Sequence, residues 1–282
     1  MRVKKRNLQK LARPLMILIF MLASGYVSAY LLQKYWAHRQ PMFVPDYEKV
    51  TLTADFDFET IFVQTGLGRP AVERLLAEDG FQRILDEQEN FFHPREVRCE
   101  PMLGWFTRED RVVDREPYPF VDLQPGDILL TLSTHSLGWR HGHAALVLDE
   151  ETTLESMVWG TDAGFCDVDK WSSYSNYAVM RVKNVTPELQ QQVVEYGREV
   201  LHGAPYHLSA GFIGTKAPEP EAQQFGVHCS YLVWYAWNHF GYDLDSDGGR
   251  LVSADDLLHS ECLEVVQMNG MDPQKFLTDM EE

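Results

Sequence analysis

The chain has 282 residues, enough to bury one sizeable core or two small ones. Its formal net charge is −17, and residues 1–40 contain eight Lys or Arg and no acid, so the remainder carries 17 basic and 42 acidic residues. An acidic body of this kind repels nucleic acid, and no phosphate-binding Gly-rich loop followed by Lys and Ser or Thr is present. The composition therefore argues against binding to nucleic acid and to anionic lipid surfaces.

The first segment, residues 1–36, has the pattern of a membrane-targeting helix. Six basic residues precede an apolar run over residues 15–32, which is close to the minimum length for spanning a bilayer. Retention as a signal anchor and cleavage of a signal peptide near Ala29 are both compatible with this pattern, and the length of the run favours the anchor. In both cases the body is expected outside the cytoplasm, either on a single-pass membrane protein or secreted.

Residues 37–120 are predicted to form a spacer and an N-terminal elaboration of the main domain. Apolar residues at helical spacing follow Pro70, and Gly80 is expected to separate two short helices. Residues 95–113 alternate like a pair of strands. No chemically active motif stands out in this part of the chain.

Residues 121–282 are predicted to form an α+β domain with a small antiparallel sheet. Strands are expected at 128–132, 143–148, 153–159, 177–182 and 263–267. Helices are expected at 186–201, from Cys229 to about Gly241, and at 253–258, and no repeat with a fixed period is present.

Cys229 is the leading candidate for a nucleophile. It stands where a polar loop gives way to an apolar run of helical length, so it is expected at a helix N-terminus. Free backbone N–H groups and the helix dipole favour a thiolate at that position. The alternative is a buried cysteine that only packs, because free cysteines are commonly buried.

A base and an orienting group are predicted upstream. His143 opens a strand, and Glu155 lies on the returning strand, directly opposite His143 if the hairpin is centred on Asp149. A carboxylate there would hold the imidazole and support its protonated form. A register shift of one residue would separate the two side chains.

Segments 126–128, 142–147 and 228–236, with the downstream segments 244–252 and 255–258, resemble the circularly permuted papain-like cysteine hydrolases. That group includes YiiX- and YaeF-type bacterial proteins and lecithin retinol acyltransferase-like enzymes, and it is related to NlpC-type cell-wall peptidases. The resemblance covers roughly residues 121–268. It implies a permuted papain-like, NlpC-like domain in which Cys229 is the nucleophile, His143 the base and Glu155 the orienting group. In the acyltransferase-like members the third residue is often a second histidine.

Other residues were weighed for the same site. Tyr206 is a candidate side-chain donor to the oxyanion, because related peptidases use a tyrosine upstream of the cysteine. His141 could replace His143 if the strand register differed, and His228 is expected to point away from the base.

No metal and no cofactor are expected. Asp243, Asp245 and Asp247 begin like a calcium loop, but Ala254 stands where a bidentate Glu is required, so an acidic turn is favoured. Three further cysteines remain, and the sequence does not say whether any two of them are bridged: Cys99, Cys166 and Cys262.

Together these features predict an exported cysteine hydrolase that cleaves amide bonds of cell-wall peptides. The expected partners are a peptidoglycan peptide or other acyl substrate and, through the N-terminal helix, the membrane. The alternatives are an acyl-lipid or acyl-amide hydrolase or acyltransferase, and a non-catalytic binding protein with the same fold.

Overall fold

The computed structural model of the protein describes residues 2–37, 42–53, 55, 57–78, 80–103, 107–113, 120–136, 139–223 and 225–281. These residues form an α+β structure with two antiparallel sheets, as predicted. Trp105 and Phe106, which belong to the predicted strand pair, lie outside the described residues.

The chain begins with one long helix, α1, Arg2–Ala37. Its segment Pro14–Leu31 is long and apolar enough to cross a membrane or to act as a signal sequence. None of that segment is buried against the rest of the protein, unlike the core helix of a soluble domain. The predicted apolar helix is therefore confirmed, and both of its predicted uses stay open.

The larger sheet has six strands, all paired antiparallel, in the order β7-β6-β5-β3-β8-β9. Their bounds are β3 Ile128–Thr131, β5 His143–Val147, β6 Thr152–Glu155, β7 Gly164–Asp167, β8 Tyr177–Val182 and β9 Leu263–Asn269. The central strands β3 and β5 are buried throughout, which explains their continuous apolar sequence.

The smaller sheet has three strands in the order β1-β2-β4: β1 Val97–Leu103, β2 Thr107–Val112 and β4 Thr134–Ser136. Strands β1 and β2 are the strand pair expected from residues 95–113. Strand β4 lies in a segment predicted as a loop, and it pairs with β2. The smaller sheet is thus built from residues on both sides of the predicted domain boundary at 120/121.

Helices cover both faces of the larger sheet. Ala145, Val147 and Val179 share one core with α2 (Phe58–Thr65), α3 (Arg69–Glu78) and α4 (Phe81–Phe92). Ala144 and Leu146 on the opposite face share the other core with α6 (Pro187–Tyr196), α7 (Cys229–Asn238) and α8 (Ala254–Leu258). The N-terminal elaboration therefore buries one face of the sheet that carries His143.

Several elements differ from the sequence-based expectation. Strand β6 ends at Glu155, before the predicted end at 159, and α6 ends at Tyr196 with a π-helical turn, Gly197–Leu201, after it. The short strand β7, helix α5 (Asp169–Ser172) and the C-terminal helix α9 (Pro273–Glu281) were not predicted.

A buried cluster of ion pairs connects the turn that precedes β3 with strand β8. Arg181 donates to both oxygens of Asp127, at 2.8 and 2.7 Å, and to Asp122 at 2.8 Å. Asp127 is fully buried, and burial raises its pKa to about 6 although Arg181 opposes the shift. Arg181 bridges the two carboxylates, and Arg74 pairs with Asp122 from the other side at 2.7 Å.

Replacing Arg181 with Met is expected to lower the free energy of unfolding by about 3–5 kcal/mol, because the buried carboxylate of Asp127 loses its cationic partner, while Asp122 keeps only its pair with Arg74. Asp127 already binds protons more tightly when folded, and loss of Arg181 strengthens that preference, so the destabilisation should be larger at about pH 8 than at about pH 5. Urea unfolding at both pH values measures this. The control is Arg198→Met, which removes an exposed pair with Asp149 and a contact over the Phe165 ring and should cost less than about 1 kcal/mol.

Candidate active site

Cys229 is the first residue of α7, as predicted. His228 caps this helix, because its Nδ1 accepts from the backbone N–H of Tyr231 at 3.4 Å. Leu232, Val233 and Ala236 bury the helix against the larger sheet, and α7 packs on β5. The thiol is therefore fixed at the positive end of a helix dipole and next to the strand that His143 opens.

His143 and Glu155 are in direct contact. His143 Nε2 lies 2.6 Å from Glu155 Oε2, and both side chains are buried. The predicted pairing was nevertheless wrong in detail: Leu146 lies opposite Leu154, so His143 and Glu155 are diagonal neighbours and not directly opposite. A shift of two positions keeps both side chains on one face of the sheet, where long side chains reach diagonally.

Glu155 receives four side-chain hydrogen bonds. Oε1 accepts from Thr153 at 2.6 Å and from the indole N–H of Trp171 at 3.0 Å, while Oε2 faces His143 and Lys170, each at 2.6 Å. Burial opposes ionisation, but these partners, His143 and Lys170 above all, lower the pKa of Glu155 to about 2. Glu155 is thus a fixed negative charge at every pH at which the protein would work.

The ring of His143 is held in one orientation. It stacks on Trp171, with ring centroids 5.3 Å apart and planes 12° from parallel. Glu155 takes Nε2, so Nδ1 is the ring nitrogen left for Cys229, with which His143 also interacts. A thiol, an imidazole and a carboxylate in this order are the parts of an activated cysteine nucleophile.

The charges of the site favour an ion pair. Burial raises the pKa of the Cys229 thiol, but interactions with His143 and His228 outweigh burial and hold that pKa well below its ordinary value. Burial lowers the pKa of His143, but Cys229 and Glu155 outweigh it and raise that pKa to about 9. Near neutral pH the favoured state is a Cys229 thiolate beside a His143 imidazolium.

Tyr206 belongs to the surroundings of the thiol. Burial and the negative charge at Cys229 raise its pKa to about 12. The phenol is therefore protonated near neutral pH and can donate a hydrogen bond. Its backbone is placed by a bridge to Val227, two residues before the nucleophile.

His141 is not arranged as a base. Its Nε2 lies 3.0 Å from Ser136 Oγ and its Nδ1 lies 2.9 Å from the carbonyl of Gly142, so both ring nitrogens are occupied. His228, in contrast, interacts with the thiol. Its Nδ1 caps α7, and its buried Nε2 has no hydrogen-bond partner among the described residues.

In the acidic turn, Asp243 and Asp245 contact other side chains. Asp243 accepts from the indole N–H of Trp234 at 2.6 Å, and Asp245 pairs with Lys216. The carboxylates that approach one another are those of Asp245, Asp247 and Asp256, without Asp243. All four cysteines of the chain are free thiols.

Sequence reasoning missed the residues that hold Glu155. Lys170 and Trp171 lie on the short helix α5. Nothing in the local sequence marks them, because they reach Glu155 through the pairing of β6 with β7 and the turn that follows.

Lys170 should act on the titration of His143 with the opposite sign to Glu155. It shares Oε2 with His143, so Lys170→Met should leave more of the Glu155 charge to the imidazolium and raise the pKa of His143. Lys170 is partly exposed, so we expect the alkaline limb of kcat/KM to move upward by less than about one pH unit. Lys183→Met, which removes a lysine bonded only to the carbonyl of Glu261, is the control and should leave the profile unchanged. A downward shift in Lys170→Met would contradict this account.

Comparisons with protein-family models and with curated proteins gave no match. Among solved structures, the chain is similar to the metalloprotein YiiX from Escherichia coli O157:H7. The two share 16% sequence identity, the likeness covers 52% of this chain and 98% of that one, and the TM-score is 0.40. At this level the likeness carries no argument about function.

Proposed function

We propose that the protein is a cysteine hydrolase of the permuted papain-like kind, acting on acyl or peptide bonds. The observation that carries this proposal is the chain of contacts from Cys229 to His143 to Glu155, with the thiol at a helix N-terminus and its pKa lowered. Burying a carboxylate, an imidazole and a thiol together is costly unless their charges are paired, and pairing produces the reactive thiolate.

The reaction follows from the positions of the charges. The Cys229 thiolate attacks the acyl carbon, and the negative charge passes to the substrate oxygen. The backbone N–H of Cys229 is the first donor for that oxygen, and the protonated phenol of Tyr206 is a candidate second donor. The imidazolium of His143 gives its proton to the leaving group as the carbon–nitrogen or carbon–oxygen bond breaks.

A water molecule then releases the acyl group. His143, now neutral, takes a proton from the water as the water oxygen attacks the thioester. The carbon–sulfur bond then breaks, and Cys229 is released as a thiolate. Glu155 stays ionised throughout and stabilises the imidazolium each time it forms. The cycle ends with the starting ion pair and needs no cofactor.

The substrate we propose first is an amide bond in a cell-wall peptide. The sequence resemblance to permuted papain-like hydrolases and their wall-peptidase relatives supports it. So does an N-terminal helix that is able to direct the domain across a membrane. We propose that the helix either anchors the domain to the extracytoplasmic side of the membrane or is removed near Ala29.

One observation favours an acyl-lipid as a second candidate. The loop that carries Tyr206 also exposes three large apolar side chains, Leu208, Phe212 and Ile213, each more than half accessible to solvent. The backbone of Tyr206 bonds to the neighbouring loop that exposes Trp159. An apolar rim beside the nucleophile would suit acyl chains, and exposed apolar groups of this size commonly mark interaction surfaces.

Parallel incubations of the full-length protein in detergent distinguish the candidates. Purified wall peptides are supplied in one reaction and mixed phospholipids in the other, with Cys229→Ala as the control in both. Peptide cleavage that needs Cys229 supports the first substrate, and a fatty-acyl mass increase on Cys229 supports the second. Turnover that survives in Cys229→Ala, or an inert wild-type thiol in both reactions, would overturn the hydrolase and leave a binding protein.

A further inference from the structure

A second cluster of chemically active side chains lies outside the proposed active site, on the smaller sheet. Cys99 on β1 is the cross-strand partner of Asp110 on β2, and His135 on β4 is paired with Arg108, two residues from Asp110. Residues two apart on a strand share a face, so the three side chains point to the same side of the sheet. Asp110 and His135 are buried, and Cys99 is partly buried.

The cluster is not arranged as a second catalytic triad. In a catalytic relay the nucleophile and the carboxylate bind opposite nitrogens of the imidazole. Here the Cys99 sulfur and the Asp110 carboxylate both approach the same nitrogen, Nε2 of His135, at 3.7 and 3.4 Å. The ligand atoms of the three residues all lie within 4.8 Å of one another.

The two distances to His135 Nε2 match the edges of a tetrahedral metal site. Bond lengths of about 2.3 Å for zinc to sulfur and about 2.0 Å for zinc to nitrogen or oxygen place sulfur and nitrogen about 3.5 Å apart, and nitrogen and oxygen about 3.3 Å apart. The observed distances, 3.7 and 3.4 Å, are within a few tenths of an ångström of these values.

The surroundings also orient the carboxylate for one ligand bond. Arg140 donates to Asp110 Oδ2 at 2.7 Å and to the carbonyl of Leu132 at 3.0 Å, which leaves Oδ1 turned toward His135. Ligating carboxylates in metal sites are commonly held in this way by an outer partner. Burial and the charge of Asp110 raise the pKa of the Cys99 thiol, and Arg108, which also interacts with the sulfur, opposes that rise only in part.

We propose that Cys99, Asp110 and His135 bind a divalent metal ion of the zinc class, with Sγ, Oδ1 and Nε2 as ligands and a fourth position open to water. Binding replaces the thiol proton of Cys99, so one proton is released for each metal ion bound and no electron transfer is involved. The sequence did not predict this site, because its ligands lie up to 36 residues apart without any short metal-binding spacing.

The ion would connect all three strands of the smaller sheet. It would thereby stabilise α5, whose Lys170 and Trp171 hold Glu155. Strand β2 contacts the segment that includes Lys170: the backbone N–H of Ser175 donates to the Asp110 carbonyl at 2.9 Å, and Arg111 donates to the Lys170 carbonyl at 3.2 Å. The expected role is structural, at a distance from the bond that is cleaved.

Cobalt titration of the metal-stripped full-length protein tests the proposal, since Co²⁺ bound to a thiolate gives a charge-transfer absorption band. We expect one Co²⁺ per chain with such a band, displacement by Zn²⁺, and a raised unfolding temperature. Cys99→Ser should weaken Co²⁺ binding by about 100-fold or more, because losing a ligand costs more than outer-shell changes. Cys262→Ser and Cys229→Ala, which change free thiols elsewhere, should keep the band.

Absence of the thiolate band in the wild-type protein would overturn the proposal, whatever the variants do. A band that disappears in Cys229→Ala and persists in Cys99→Ser would also overturn it, by placing the metal at the proposed nucleophile. Circular dichroism of Cys99→Ser checks that lost binding is not lost folding. A serine at this partly exposed strand position is expected to fold.

Discussion

If the protein is the proposed hydrolase, replacing Cys229 with Ala is expected to lower kcat by roughly 10⁴- to 10⁶-fold, because removal of the proposed nucleophile ends covalent catalysis. The methyl group of Ala fits the start of α7, so the helix and its cap at His228 should be retained. Single-turnover hydrolysis and circular dichroism measure the two properties separately.

The matched control is Cys262→Ala. Cys262 is also a free thiol, but its sulfur contacts the carbonyl of Asp243, away from His143 and Glu155. We expect its kcat to stay within a factor of about two of the wild-type value, since surface changes away from special features have small effects. If Cys229→Ala kept more than a tenth of wild-type turnover, Cys229 would not be the nucleophile.

The second large effect is expected from Glu155→Gln, which keeps the shape of the side chain and removes its charge. The hydrogen bond between Glu155 and the imidazolium of His143 is buried and charged, and bonds of that kind contribute about 1.5–3 kcal/mol. Its loss should lower kcat/KM near neutral pH by about 10- to 100-fold and move the alkaline limb, near pH 9 in the wild type, downward by about one to two units.

The sign follows from the protonation states. Glu155 stabilises the protonated form of His143, so the wild-type imidazolium persists up to its raised pKa of about 9. Without the carboxylate charge the imidazolium loses its proton at lower pH, and activity falls earlier as pH rises. Lys170→Met should shift the same limb upward, so the alkaline limb of the wild type should lie between those of the two variants. Equal shifts in the same direction would show that Glu155 does not act through charge.

The sequence predicted the local parts of the site because each depends on a short pattern. A polar loop followed by an apolar helical run placed Cys229 at the start of α7, and a turn between two apolar runs placed His143 on β5. The exact register of the hairpin depends on how many residues form its turn, which hydrophobic alternation leaves open. His143 and Glu155 still contact each other, because the register differs from the predicted one by two residues and both side chains therefore stay on the same face of the sheet.

The parts that could not be predicted depend on long-range contacts. Strand β4 is three residues long and is stabilised by pairing with β2, and α5 reaches Glu155 only because β7 precedes it in the sheet. Lys170 and Trp171 have no periodicity that distinguishes them from surface or core residues. Tertiary packing, and not local propensity, gives these segments their structure and their role.

The most direct test of the proposed ion pair is the rate at which iodoacetamide alkylates Cys229 as a function of pH, followed by mass spectrometry of the Cys229 peptide. Because His143 and His228 lower the thiol pKa, we expect rapid alkylation already well below the pH at which an ordinary thiol reacts, and a shift of the rate profile toward higher pH in His143→Ala. A profile in the wild type that rises only near the ordinary thiol pKa of about 8.5, unchanged in His143→Ala, would contradict the account.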